Sequence, residues 1–176
     1  MGYLTDFDGV VEIYPPLTPE HRAYINQFSM TRRIRRNPTI AESMVDPIRL
    51  AAGLPIGTEG AYSVIDSDGK RQDNDDSIIE YNTPPTGQPS LYCNWAIPDA
   101  ETLAWDGNDK FDEYGEWLVY LIEHFFKPWK YRLDGVITFQ GDAWEDYGQI
   151  LIEGNKVLRG YCTLDIPRKN FKEITL

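Results

Sequence analysis

Apolar and polar residues alternate with two different periods along the chain, and the changes of period mark the predicted elements. Residues 3–14 carry apolar side chains at strand-like spacing, so they predict a first strand that ends at Pro15 and Pro16, with Gly9 as a bulge or turn. Thr18 followed by Pro19 and an acid is typical of a helix start, because the hydroxyl caps the first turn and proline suits the first helical position.

The first helix should carry an apolar stripe and then weaken before it stops. Tyr24 and Phe28 form the stripe, the pattern fades over residues 30–36, and the chain reaches Asn37 and Pro38, where a helix cannot continue. We therefore expect this helix to end close to a run of four arginines.

The second half of the chain predicts a hairpin, a second helix and three more strands. The hairpin joins residues 91–97 to residues 102–105, and Asn108 or Asp109 should cap the helix, which ends at Lys127 and Pro128. The apolar helix positions recur at intervals of three or four residues, as in an amphipathic helix. They are Phe111, Tyr114, Trp117, Leu118, Leu121, Ile122 and Phe125. The strands cover residues 131–140, 147–153 and 156–162, and Gly154-Asn155 suits a two-residue hairpin turn.

Between these halves lies a loop-rich insertion at about residues 37–90. Residues 48–52 predict one helical turn, residues 61–65 predict a short strand, and residues 66–69 predict a hairpin tip. Residues 82–89 hold three prolines and a glycine, which excludes both a helix and a central strand.

This order of elements indicates a single α+β domain over residues 1–176. We expect a mainly antiparallel sheet with two amphipathic helices packed on one face. A split β-α-β, ferredoxin-like core is one arrangement that satisfies the order.

Composition and charge narrow the class of protein. The chain has 28 acidic and 17 basic residues, a net charge of −11, and it is 41% hydrophobic, which excludes intrinsic disorder. Cys93 and Cys162 match no metal or redox spacing and are expected to be reduced. The apolar runs are too short to cross a bilayer and no leader segment is visible, so we expect a cytoplasmic protein without a membrane partner.

Arg32, Arg33, Arg35 and Arg36 form the one concentrated basic segment. Guanidinium groups bind phosphates and carboxylates in a bidentate manner, so these four residues are candidates for an anion- or partner-binding site. Two other interpretations are open: cations stabilise a helix C-terminus, and arginines pair with the chain's own acids. We expect Arg32 and Arg33 to be tied to the rest of the domain, and Arg35 and Arg36 to face a partner.

Tryptophans supply further candidates. Trp144 lies in a polar connection between two strands, where an exposed ring could anchor a partner. An alternative ligand pocket would have Trp95 and Trp105 as its floor, with amide groups from Asn82 and Gln88 beside them.

Recognised catalytic and cofactor motifs are absent from the sequence. His21 and His124 stand in no zinc or phosphodiesterase spacing, and there is no phosphate loop or nucleophile elbow. Residues 66–77 are acidic but lack the glycine and glutamate positions of a calcium loop. We therefore expect no cofactor and no metal, and we lean against an enzyme.

Several segments resemble a set of small uncharacterised proteins of bacteria and their phages. The segments are 7–18, 31–33, 82–95, 117–123, 128–129, 133–135 and 148–150, together with Asn155. This resemblance covers most of the chain outside residues 37–80. It implies a phage or mobile-element context and no chemistry.

Two functions follow as hypotheses. The first is an acidic interaction protein that binds and modulates or inhibits a host or phage protein, such as a basic nucleic-acid-binding protein, and does not bind nucleic acid itself. The second is a binding protein for a nucleotide or another anionic small molecule, with enzymatic activity conceivable.

Overall fold

Eight strands and four α-helices make up the described part of the chain. The computed structural model describes residues 4–65 and 76–162. In chain order the elements are β1 (Thr5–Tyr14), α1 (Pro19–Met30), β2 (Arg35–Arg36), α2 (Pro38–Glu42), α3 (Pro47–Ala51), β3 (Ile78–Glu80), β4 (Trp95–Asp99), β5 (Thr102–Trp105), α4 (Tyr114–Leu121), β6 (Arg132–Gly141), β7 (Tyr147–Glu153) and β8 (Lys156–Tyr161). A π-helical segment, Ile122–Phe126, continues α4.

Six strands form one antiparallel sheet in the order β4-β5-β1-β6-β7-β8. The central strand β1 pairs antiparallel with β5 on one side and with β6 on the other. Strands β1 and β4 are therefore parallel with β5 between them, and β5 and β6 are parallel with β1 between them. Since α1 lies between β1 and β4 in the chain and α4 between β5 and β6, these are two split β-α-β units. The α+β class is confirmed, and the core has the ferredoxin-like topology, extended by β7 and β8.

The core lies between one face of this sheet and the two longer helices. Tyr24 and Phe28 of α1 meet Phe125 edge-on, with ring centres 5.2 and 5.3 Å apart. The sheet contributes buried residues at alternate positions, including Val11, Ile13, Leu103, Ile137, Phe139, Ile150 and Ile152. Such alternation is expected for a sheet that covers its core with one face only.

Helix α1 begins as predicted and ends earlier than predicted. The Thr18 hydroxyl accepts the His21 N–H at 3.3 Å, and Pro19 follows as the first helical residue. The last residue is Met30, because the Thr31 hydroxyl donates to the Gln27 carbonyl at 2.7 Å and the Thr31 backbone is extended. The arginine segment therefore lies beyond the helix, and Arg35–Arg36 pair with β3 as strand β2.

Other boundaries in the sequence prediction need correction. Asn108 caps no helix, since its side chain binds the Asp106 carboxylate at 2.8 Å and α4 begins only at Tyr114. Residues 61–65 form no strand, and the carbonyls of Ala61 and Ser63 accept hydrogen bonds from the Arg33 side chain. The helical turn at residues 48–52 is confirmed by α3, and the 66–69 hairpin tip lies outside the described residues.

Two glycine positions discussed in the sequence analysis, Gly9 and Gly154, have different outcomes in the structure. Gly9 is not a bulge: it stays in register with Ile137 in an unbroken β1–β6 ladder and has a φ of 111°. The turn between β7 and β8 is confirmed as a positive-φ turn, with φ of 54° at Gly154 and 71° at Asn155. Among residues 4–65 and 76–162, no helix has the length and apolar character that a membrane span requires.

Candidate functional site

Arg33 is enclosed in the core. The residue is 2% exposed, and its guanidinium lies over the Phe28 ring, 3.9 Å from the ring centre. Its Nη2 donates to the carbonyls of Ala61 and Ser63 at 2.9 Å, and its Nε donates to Gln88 Oε1 at 3.2 Å. Burial lowers the pKa of Arg33, because desolvation disfavours the charged form. These acceptors are neutral oxygens, so Arg33 ties the 61–63 segment to the loop that carries Gln88.

Arg36 and Arg35 also bind within the chain. Arg36 is 3% exposed and donates from Nη1 to the Ser77 hydroxyl at 2.6 Å. Arg35 forms an ion pair with Glu59, with its Nε 3.0 Å from Oε1. A backbone N–H of Thr86 and the Arg35 guanidinium together lower the pKa of Glu59.

Arg32 is partly exposed and is held by aromatic and amide groups. Its Nη1 donates to the Tyr92 hydroxyl at 2.8 Å and its Nη2 to Asn82 Oδ1 at 3.0 Å. Its guanidinium also lies 4.6 Å from the centre of the Tyr81 ring. Asn82, a predicted ligand group, therefore already accepts a hydrogen bond from the arginine segment.

These contacts correct the interpretation of the arginine segment. Arg35 and Arg36 do not project freely toward a partner, because Arg35 is ion-paired and Arg36 is buried. The segment begins directly after the C-cap Thr31 of α1, so stabilisation by the helix dipole stays a prediction. Pairing with the chain's own acids is confirmed for Arg35. A role in binding an anion or a partner stays a prediction, and Arg32 and Arg35 are the two arginines whose partial exposure would allow it.

Two residues of the predicted alternative pocket, Trp95 and Gln88, are buried in the described part of the chain. Trp95 is fully buried, and its indole N–H donates to the Tyr114 carbonyl at 2.8 Å. Phe7 contacts both Trp95 and Trp105 edge-on, with ring centres 5.5 and 5.4 Å apart. Gln88 is buried and accepts a hydrogen bond from Arg33. Trp95 is therefore a core residue, while a ligand-binding role for Trp105 and Asn82 stays a prediction.

Trp144 has the exposure that its sequence context predicted. It lies in the connection between β6 and β7 and is 69% exposed. Its role as an anchor for a partner stays a prediction.

A groove of about 460 Å³ lies between α4 and the loop before β4. Glu116, Val119, Tyr120 and Glu123 line it from consecutive turns of the helix, and the loop contributes Pro89. Residues three and four apart share one face of a helix, so their spacing places these four side chains together. Glu113 and His124 complete the ends of the groove. The result is an apolar floor with carboxylates along its rim.

The groove is connected to the buried arginine through its floor. The Tyr120 hydroxyl accepts a hydrogen bond from Gln88 Nε2 at 2.9 Å, and Gln88 in turn binds Arg33. Burial raises the pKa of Tyr120 to about 12, so its hydroxyl remains protonated at neutral pH. The Tyr120 side chain therefore adds no negative charge to the groove.

His124 adds no positive charge to the groove at neutral pH. Its ring stacks on Tyr120 with centres 4.1 Å apart, and its Nδ1 lies 2.8 Å from the Tyr62 hydroxyl. Burial lowers the pKa of His124 below its ordinary value of 6.5 and outweighs the opposing effect of Glu123. The imidazole is therefore neutral at pH 7 and does not repel a cation.

Two rim carboxylates form ion pairs within the chain. Glu116 pairs with Arg159 at 3.1 Å, and Glu123 pairs with Lys127 at 2.6 Å. Such surface ion pairs contribute about 1 kcal/mol or less, so an incoming cation can share or replace them.

Sequence reasoning missed these groove residues, although a signal was present. The predicted apolar stripe of the second helix defined its buried face, and Glu116, Val119 and Glu123 lie on the opposite face at helical spacing. The sequence could not show that a proline-containing loop lies beside that face.

Within the described ranges, no group of three or more histidine, cysteine, aspartate or glutamate side chains is placed to hold a metal ion. A scan against protein-family models, a search of curated proteins and a search of solved structures found no match to the chain. A fold topology alone does not assign a function, so the functional argument depends on the surface chemistry.

Proposed function

We propose that this protein binds a basic protein partner and that the groove receives a lysine or arginine side chain of that partner. The observation that carries this proposal is the apolar groove floor, Val119 and Tyr120, beneath the carboxylates of Glu113, Glu116 and Glu123. A lysine or arginine side chain has an apolar stem and a charged end, which match the floor and the rim respectively.

A basic surface that binds nucleic acid has the chemistry this groove requires. An acidic protein that docks on such a surface occupies the cations that would otherwise bind phosphates. We therefore retain modulation or inhibition of a nucleic-acid-binding protein as part of the proposal. A phage context and a cytoplasmic location remain predictions from the sequence.

The alternative function, binding of a nucleotide or another anion, has less support. It relied on the arginine segment and on a floor formed by Trp95, yet Arg33, Arg36 and Trp95 are all enclosed. The carboxylates along the groove would also repel a phosphate group.

Peptide binding tests the proposed function. We expect octapeptides that set arginine or lysine between apolar residues to bind, and matched peptides with glutamate at those positions not to bind, in a fluorescence-polarisation titration. Replacing Glu116→Gln and Glu123→Gln together should weaken binding about tenfold, because two carboxylates at the rim are neutralised.

A second pair of glutamates provides the matched control. Glu42→Gln with Glu145→Gln makes the same change of net charge at exposed positions that do not line the groove. This pair should change the affinity less than about twofold, since screening limits distant charges. Equal losses from both pairs would remove the groove from the proposal, and absence of binding by every basic peptide would refute the function.

A further inference from the structure

The sheet has a second face, opposite to α1 and α4, whose apolar side chains are exposed. Val10 of β1 is 47% exposed, Val136 of β6 is 43% exposed, and Leu158 of β8 is 38% exposed. Alternate residues of a strand point to opposite faces, so these positions belong to the face that the helices do not cover. Their buried neighbours Val11 and Ile137 point to the core.

Strand register places these side chains in one row across four strands. Val10 pairs with Val136, Val136 pairs with Leu151, and Leu151 pairs with Leu158. Neighbouring strands are about 4.8 Å apart, so this apolar row (Val10, Val136, Leu151, Leu158) extends for about 14 Å. Directly opposed side chains contact each other, so the row is continuous. A continuous exposed apolar patch with a polar border is characteristic of an interaction surface.

Acidic side chains border the apolar row on both sides along β1. Glu12 lies two residues from Val10 on one side and is paired in register with Asp134. Asp8 and Asp6 lie two and four residues from Val10 on the other side. These residues share the exposed face because the strand repeats every two residues.

The basic residues on the same face are already matched by acids. Arg132 donates to Asp134 from its Nε at 2.6 Å, and Lys156 stands opposite Glu153 in the β7–β8 register. Among the described residues of this face, the unmatched charge is therefore the negative charge of β1.

We infer that this sheet face is a second docking surface, for a protein segment that sets lysine or arginine beside aliphatic side chains. A second copy of the same face would bring the β1 carboxylates against each other, and like charges oppose that contact. The inference relies on the proposed function in one respect, the basic chemistry of the partner, and it uses a surface on the other side of the sheet from the groove.

Methyl resonances distinguish the two surfaces. The probe is a ten-residue peptide of alternating lysine and leucine, and a glutamate-leucine peptide of the same length is its control. Each peptide is titrated into the full chain, whose valine and leucine methyl groups are labelled for NMR. Val136 and Leu158 report on the sheet face, while Val119 reports on the groove. We expect the basic peptide to shift the Val136 and Leu158 resonances and the acidic peptide to leave them unchanged.

Two lysine substitutions test the contact itself. Val136→Lys places a positive charge in the apolar row, and Gln149→Lys makes the matched change at an exposed polar position of the same face, opposite Thr138 on β6. Val136→Lys should weaken the sheet-face binding about tenfold, and Gln149→Lys less than about threefold. Because Val136 is exposed, we expect the variant to fold; Leu158→Lys on β8 is the second variant of the row.

Each outcome decides between the surfaces. Shifts at Val119 alone would overturn the sheet-face inference and leave the proposed function standing. Shifts at Val136 and Leu158 alone would support the inference and contradict the groove. If the Val136 and Leu158 resonances shift with protein concentration and without peptide, the occupant is a second copy, and the inference is wrong. Equal losses from Val136→Lys and Gln149→Lys would also overturn it, because general electrostatic attraction would then explain the binding.

Discussion

Arg33 determines how the insertion attaches to the rest of the domain. Its guanidinium links the carbonyls of Ala61 and Ser63 to Gln88, and Gln88 continues the connection to Tyr120 at the groove. A buried polar network of this kind is stabilising only when its members remain satisfied, because a buried group without a partner carries its full desolvation cost. The groove floor therefore depends on a residue that lies behind it.

Substitution of single arginines should separate this structural role from surface charge. Arg33→Gln leaves buried carbonyls without their donor and should lower the free energy of unfolding by about 2–4 kcal/mol. Arg35→Gln removes a partly exposed ion pair and should lower it by about 1 kcal/mol or less. Urea unfolding followed by tryptophan fluorescence measures both values. If the two variants lost the same free energy of unfolding, the burial of Arg33 would not make it more important for stability than Arg35.

Strand β1 is the element on which both faces of the molecule depend. It pairs with β5 and β6, its buried residues join the core, and its exposed residues form part of the apolar row. Gly9 allows this strand to pass β6 closely: a Cβ at this position would lie 2.5 Å from the Val136 carbonyl oxygen. Its φ of 111° is also a conformation that residues with a side chain rarely adopt.

Alanine substitutions of two strand glycines test this close approach. Gly9→Ala should lower the free energy of unfolding by about 2 kcal/mol or more, because both the contact and the backbone angle are unfavourable. Gly160→Ala is the control, since a Cβ there meets no heavy atom within 4 Å. Its effect should stay within about 1 kcal/mol. Thermal and urea unfolding of the two variants give the comparison. If Gly9→Ala left the free energy of unfolding unchanged, the close approach of β1 to β6 would not require glycine at this position.

Across the whole molecule, folding makes the described surface more acidic than the composition alone indicates. Arg33, Arg36 and Arg49 are buried, whereas Asp46 is the buried acid of the described residues, paired with Arg49 at 3.3 Å. Positive charge is thus withdrawn from a chain that already has a net charge of −11.

Salt should affect stability and partner binding in opposite directions. Raising the ionic strength from about 10 mM to about 150 mM shortens the screening length from roughly 30 Å to roughly 8 Å. Repulsion among surface carboxylates then falls, so the unfolding midpoint should rise by about 2–4 °C. The affinity for a basic peptide should fall over the same range. Calorimetry and fluorescence polarisation measure the two effects. A midpoint that falls with salt at pH 7 would contradict a surface dominated by negative charge.

The sequence by itself determined the elements whose signals are local. The Thr18-Pro19 start of α1, the apolar stripe of α4, the Gly154-Asn155 turn and the α+β order each depend on neighbouring residues, and the structure confirms them. These features are predictable because caps, periodicity and positive-φ turns act within one or two turns of the backbone. The exposure of Trp144 in its polar connection belongs to the same group.

Only the tertiary structure decided where the charged side chains point. The four arginines within residues 32–36 cannot be told apart from the sequence. In the structure Arg33 and Arg36 are buried, and Arg35 forms an ion pair with Glu59, a residue 24 positions away. The groove and the apolar row likewise combine elements that are distant in the chain. Their formation depends on strand register and on the free energy of satisfying buried polar groups, and both are properties of long-range contacts that local sequence patterns do not contain.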